Sequence, residues 1–212
     1  RNKKSVPMNL RDNRAKELLL RLVETADIFI ENYRVGGLER MGLAPEILHA
    51  RNPGLVIVRV TGFGQTGPYR ERPGFGTLIE AMTGFAVKTG FPDKPPALPN
   101  MALADMVAGT YGAFGAMVAV QARGNNGGKG QVIDLSLMEP LHAILGGDAA
   151  VHAASGKSPM RAGNRSITAA LRNTYLTKDK RWLAISGSMQ VMALRIFRAI
   201  GREDMCGDPR YN

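Results

Sequence analysis

The chain has 212 residues, 44% hydrophobic and 22% charged, a balance that fits a globular fold of one or two domains with a real core. Its single cysteine, Cys206, excludes an intramolecular disulfide framework and a cysteine-rich zinc site, and points to a reducing, cytoplasmic setting. A formal charge of +10, from 28 Lys and Arg against 18 Asp and Glu, suits either nucleic acid or a phosphate-rich small ligand and by itself excludes neither.

In chain order, "SVPMNL" (5–10) reads as a short strand, and residues 13–26 as an amphipathic helix with Leu18, Leu19, Leu22 and Val23 on one face. "DIFIEN" (27–32) alternates as a strand does. A glycine-rich turn with a short helical piece follows in "VGGLERMGL". Residues 44–54 make a helix opened by Pro45 and closed at Asn52-Pro53, and "LVIVRVTGFG" (55–64) is an apolar, β-branched strand ending in glycines. Strand and helix alternating in this way predict an α/β domain, Rossmann-like, with a mostly parallel sheet. Ligands of such sheets gather beyond the carboxyl ends of the strands. The two loops that leave those ends, "ENYRVGG" and "TGFGQTGPYRERPGFG", combine glycine with arginine but match neither a P-loop nor the GxGxxG fingerprint.

A helix is expected at 76–86, then a proline-rich connection, then a long helix after Asp105. From Met106 to Ala122 that helix carries no charge, which is near the lower limit for a membrane span. Thr110, Tyr111 and Gln121, with glycines at 109, 112 and 115, favour a buried helix that packs closely through small residues, so no membrane is expected. Asp105 stands at its mouth. It reads either as an N-cap or as a group whose chemistry uses the helix end, where unpaired N–H groups favour a negative charge. Further on come a strand at 131–137, a helix at 139–156, a linker at 157–173, a hairpin at 174–187 turning near Lys178, and an amphipathic helix at 189–201. His49, His142 and His152 are scattered, so no metal site is expected. No aromatic residues interleave with the basic ones and no nucleic-acid motif is present, so no nucleic-acid partner is expected. The start at Arg1 and the abrupt "GDPRYN" read as an internal piece of a longer chain.

Several stretches together resemble the family III CoA-transferases, a group that includes formyl-CoA transferase and is related to α-methylacyl-CoA racemase. They are "ADIFIENYRVGGLERMGL", "NPGLVIVRVTGFGQTGPYRERPGFG", "LADMVAGTYGAFGAM", "GGKGQVIDLSL", "RAGNR" and the closing "WLAISGSMQVMALRIFRAIGREDMCGDPRYN". The resemblance implies a large CoA-binding catalytic domain over 1–173, lacking its N-terminal part, with a linker from about 157. It implies the beginning of a smaller α+β domain over 174–212, and two chains interlocked as a homodimer. It also implies an acyl-CoA donor and a carboxylic acid acceptor, with coenzyme A as substrate and no metal.

Asp105 falls on the family's catalytic aspartate. The resemblance implies that its carboxylate attacks the thioester, passes through a mixed anhydride and takes CoA as an aspartyl thioester. Met8, Asn9, Leu10 and Arg11 match the segment beside the adenine end of CoA. Asn32, Tyr33 and Arg34 match the first CoA loop, and Arg40 a basic residue one short helix later. Gly74, Phe75 and Gly76 match the loop that flanks the thioester. The sequence departs from the family at Val35, where proline is usual, and at Gly76, where an acid is frequent. The family's racemases place a histidine at the position of Phe75, which carries no proton, so transfer is preferred over racemisation. A CoA- or nucleic-acid-binding module without catalysis is the remaining alternative.

Overall fold

A computed structural model describes residues 2–158, 160–166 and 168–211. It divides into two compact units, one of Arg1–Gly84 with Pro99–Gly147, the other of Phe85–Leu98 with Asp148–Asn212.

The first unit is built on three parallel strands in the order β1-β2-β3: β1 Ile28–Glu31, β2 Val56–Thr61 and β3 Val132–Ser136. The helix α1 Asn13–Val23 precedes β1, and α2 Gly37–Arg40 and α3 Pro45–Arg51 lie between β1 and β2. Between β2 and β3 lie α4 Gly76–Met82 and the long α6 Leu103–Arg123, with α5 Phe85–Lys88 assigned to the second unit; α7 Met138–Ile144 follows β3. The sequence explains why β2 is central. Successive side chains of a strand alternate between faces, and here both faces are covered. Leu55 and Ile57 join Val23, Leu38, Leu43 and Leu48 on one side, while Val56 and Val58 join Ala116, Ala119 and Leu135 on the other. A parallel strand buried on both faces must read as one continuous apolar run, as "LVIV" does. The four leucines of the first cluster are fully buried, each contributing about 1.5–3 kcal/mol relative to exposure.

Small residues bring α6 down onto the sheet. Ala108, Gly112, Ala116 and Ala119 line its buried face, and a methyl on Gly112 would lie 2.7 Å from the Leu135 side chain. Among the described residues α6 is the one helix long and apolar enough to cross a membrane, yet this alanine and glycine stripe lies against protein.

Several boundaries differ from the sequence expectation. No strand forms at 5–10: Pro7 has no N–H to donate, and among the described residues no main-chain bond joins 5–8 to a strand. The helix expected at 76–86 breaks into α4 and α5, because Thr83 bonds back to the Ile79 carbonyl at 2.8 Å and Gly84 turns with φ +91°. The helix expected at 139–156 likewise breaks at Gly146 (φ +77°), leaving α7 and α8 Asp148–Ser155.

In the second unit β4 Leu171–Leu176 and β5 Trp182–Gly187 pair antiparallel, so the hairpin begins three residues ahead of 174, inside the expected linker. The helix α9 Gln190–Ala199 follows. Segment 85–98 belongs here because Lys88 pairs with Asp148 and the Gly163 N–H donates to the Gly90 carbonyl at 2.9 Å. The Arg161 guanidinium adds bonds to the carbonyls of Val87 (3.0 Å) and Phe91 (3.3 Å).

Candidate functional site

The three strands run in one direction, so their carboxyl ends share one edge, and the expected site residues follow two of them. At the end of β1, Glu31 stands opposite Arg59 of β2 in parallel register. Both are buried charges in the middle of an apolar sheet, which is costly unless they are paired. Arg59 Nε donates to Glu31 Oε1 at 2.7 Å, and its Nη atoms reach Glu39 of α2 at 2.7 and 3.1 Å. The other Glu31 oxygen accepts the Tyr33 N–H at 2.7 Å. Burial works against the charge on Arg59, but its bonds to Glu39 and Glu31 outweigh that and raise its pKa. In return the Arg59 hydrogen bond holds the Glu39 carboxyl below the usual glutamate range.

This triad pins the loop after β1 and the start of α2 to the sheet. What the loop then offers is free: Asn32, Tyr33 and Arg34 are exposed, and the Arg40 guanidinium lies over Gly36, with Nη1 2.8 Å from where a methyl on that glycine would stand. Among the described residues neither Arg34 nor Arg40 forms a salt bridge, and both are exposed, so two planar cationic groups are available to an anion. Of Met8 to Arg11, Leu10 packs on the cluster that includes Leu38 of α2. Among the described residues no hydrogen bond joins 8–11 to the loops after β1 or β2.

The loop after β2 folds back on itself. Gly62 and Gly74 bring their backbones together so closely that a methyl on either would meet the other's Cα at 2.5 Å. Asp134 of β3 accepts the Gln65 N–H with both carboxylate oxygens, at 2.9 and 3.0 Å, and the Thr61 hydroxyl accepts the Gly64 N–H at 2.9 Å. The return of the loop delivers Gly74, Phe75 and Gly76, and with them the start of α4, to the carboxyl end of the central strand.

Asp105 waits there. It is the third residue of α6, not its cap: the helical backbone begins at Leu103, and Ala102 before it supplies no side-chain bond. The N-cap alternative is therefore replaced by a different arrangement. Glu80, from α4, reaches across and accepts the Ala104 N–H at 3.2 Å. Asp105 itself is exposed, and among the described residues its carboxylate makes no hydrogen bond or salt bridge. Its Oδ2 lies 2.5 Å from the place a methyl on Gly76 would occupy. Phe75, 70% exposed, is the neighbouring side chain in sequence. An unpaired carboxylate in the first turn of a helix, open to solvent beside a loop of small residues, can act as a nucleophile toward an electrophile of some bulk.

The residues that hold this site in place escaped the sequence reading: Glu31, Arg59, Glu39, Asp134 and Glu80. A signal for two of them was present. Arg59 interrupts "VIVRVT" and Glu31 ends "DIFIE", and a charge inside a strand covered on both faces demands a partner.

Comparison with known proteins adds kinship to this geometry. A family model described as CoA-transferase family III matches residues 1–212. Succinyl-CoA–D-citramalate CoA-transferase of Chloroflexus aurantiacus is 41% identical over 211 residues, which are 100% of this chain and 52% of that protein. The alpha subunit of succinyl-CoA–L-malate CoA-transferase from the same organism is 38% identical, over 100% of this chain and 49% of its own length. The crystal structure of a CAIB/BAIF family protein from Brucella suis superimposes with a TM-score of 0.83 at 36% identity, covering 98% of this chain and 55% of that one. The chain thus spans about half the length of the relatives it matches.

Proposed function

The chain belongs to CoA-transferase family III, and from that membership we propose that the protein moves coenzyme A between carboxylic acids through an aspartyl-CoA thioester at Asp105. The observation that carries this reading is the exposed carboxylate of Asp105, unpaired among the described residues, at the start of α6 and beside Gly76.

The steps balance without an external proton. An oxygen of the Asp105 carboxylate attacks the donor thioester carbonyl; the C–S bond breaks, giving a mixed anhydride and CoA thiolate. The thiolate attacks the aspartyl carbonyl, the donor acid leaves as carboxylate, and CoA rests on Asp105 as a thioester. An acceptor carboxylate then attacks that thioester, and the same two steps in reverse give the new acyl-CoA and restore Asp105. Each stage replaces a difficult direct exchange with an attack on an activated carbonyl.

In this reading Arg34 and Arg40 meet the phosphates of CoA as bidentate donors, supported by their exposure and their freedom from salt bridges among the described residues. Asn32 and Tyr33 complete that loop, Met8 to Arg11 lie toward the adenine, and Gly74, Phe75 and Gly76 flank the thioester. The unit built on the parallel sheet serves as the CoA-binding catalytic domain, and the hairpin that opens at Leu171 rather than at 174 begins a smaller one, in an interlocked pair of chains acting in the cytoplasm; a relative named as an alpha subunit supports assembly from more than one chain. Two relatives named for succinyl-CoA make it the first donor to try, with small dicarboxylates as acceptors. Racemisation of an α-methylacyl-CoA needs a second proton carrier, and Phe75 offers none.

The test is Asp105→Ala in the full-length protein, with CoA transfer and CoA affinity measured separately. Transfer is expected to vanish while affinity stays within about threefold, since the CoA contacts lie on other loops. Transfer at the wild-type rate would refute the assignment. A salt-dependent shift with RNA, without saturable CoA binding, would replace it with a nucleic-acid-binding role.

A further inference from the structure

One carboxylate beside Asp105 has no part in the chemistry above. Glu80 is 3% exposed, and its Oε1 accepts the N–H of Ala104, a residue that is itself fully buried. The first N–H groups of a helix have no partner inside the helix, and Ala102 gives α6 no side-chain cap. The first turn of α6 is therefore held from outside, by a side chain of α4. Gly76 and Glu80 are four residues apart on α4, so they share a face. That face gives α6 two things one turn apart: at Gly76 a gap that Asp105 Oδ2 enters, and at Glu80 an acceptor for the residue just before Asp105.

We propose that Glu80 is a positioning residue, whose bond to the Ala104 N–H fixes the first turn of α6 and so sets where the Asp105 carboxylate stands against Gly76. The proposal rests on the reading of Asp105 as the nucleophile. The hydrogen bond is what matters, and only an acceptor oxygen at that reach is required. Glutamine supplies one; aspartate keeps the charge but falls one methylene short; alanine supplies none.

The experiment uses the full-length protein with succinyl-CoA and isotope-labelled succinate, whose exchange gives kcat and the KM for acyl-CoA, and mass spectrometry to follow covalent labelling of Asp105. Glu80→Ala and Glu80→Asp are expected to lower kcat and the labelling rate together by about tenfold to a hundredfold, with KM changed less than about twofold. Glu80→Gln is expected to stay within about threefold of wild type. Should the alanine variant not fold, the Asp and Gln variants still decide the matter. Wild-type kcat in Glu80→Asp, or a Gln variant as impaired as the Asp one, overturns the proposal. A wild-type protein that acquires no label at Asp105 removes the reading beneath it instead, and the two failures are told apart by that control.

Discussion

Asp105 contributes little to folding. Its carboxylate is exposed and unpaired among the described residues, and a charge in a helix's first turn is worth about 0.3–1 kcal/mol at an exposed site. Its surroundings are less tolerant. A methyl on Gly76 would sit 2.5 Å from Oδ2, inside any permissible contact, so Gly76→Ala must push the carboxylate aside. Displacements of about 1 Å at a reacting group can cost 10²-fold in rate. Gly76→Ala is accordingly expected to reduce CoA transfer by about 10²-fold while thermal unfolding stays nearly unchanged; transfer at the wild-type rate would show that the Gly76–Asp105 contact is without consequence. Asp105 was legible in the sequence as the one acid before a long uncharged run. The purpose of Gly76 was not. In sequence it is only a departure from the acid frequent in the family, and its contact with Asp105 is made across 29 positions by the folding back of the loop after β2.

At the scale of elements, the loop after β1 owes its place to the Glu31–Arg59–Glu39 triad. A buried ion pair that loses one member leaves the other uncompensated, at a cost of about 3–5 kcal/mol. Glu31→Ala removes the buried partner of Arg59 and the acceptor for the Tyr33 N–H at once. It is expected to lower stability by about 3 kcal/mol, the smaller figure because Glu39 still faces the guanidinium, and to raise the KM for acyl-CoA more than it lowers kcat. Chemical denaturation checks the first effect and steady-state kinetics the second; unchanged stability would mean that the triad does not organise the loop. Helices and strands with strong periodicity were legible, above all β2 and α1. Their breaks were harder to see. Gly84 and Gly146 each end a helix in a run that still looks helical by composition, and the segment 5–10 has strand-like residues but, among the described residues, no strand to pair with.

Within the whole molecule, the arrangement of the first unit follows from one strand. β2 is apolar on both faces, so it must lie between layers, and its parallel neighbours place every strand end on one edge. From the α/β rhythm the sheet and that edge could be foreseen, and so could the two loops that leave it. The supporting acids could not, because each acts on a residue distant in sequence: Asp134 on Gln65, Glu80 on Ala104, Glu31 on Arg59. The edge collects an exposed carboxylate, two guanidinium groups without a salt bridge among the described residues, and a glycine-lined approach. In the function proposed above, these groups together let Asp105 carry CoA for a moment. The direct measurement is to incubate the full-length protein with succinyl-CoA, quench it, digest it and map the adducts by mass spectrometry. CoA in thioester linkage on the peptide that contains Asp105 is the expected product; an adduct on another residue, or none at all, would contradict transfer through Asp105.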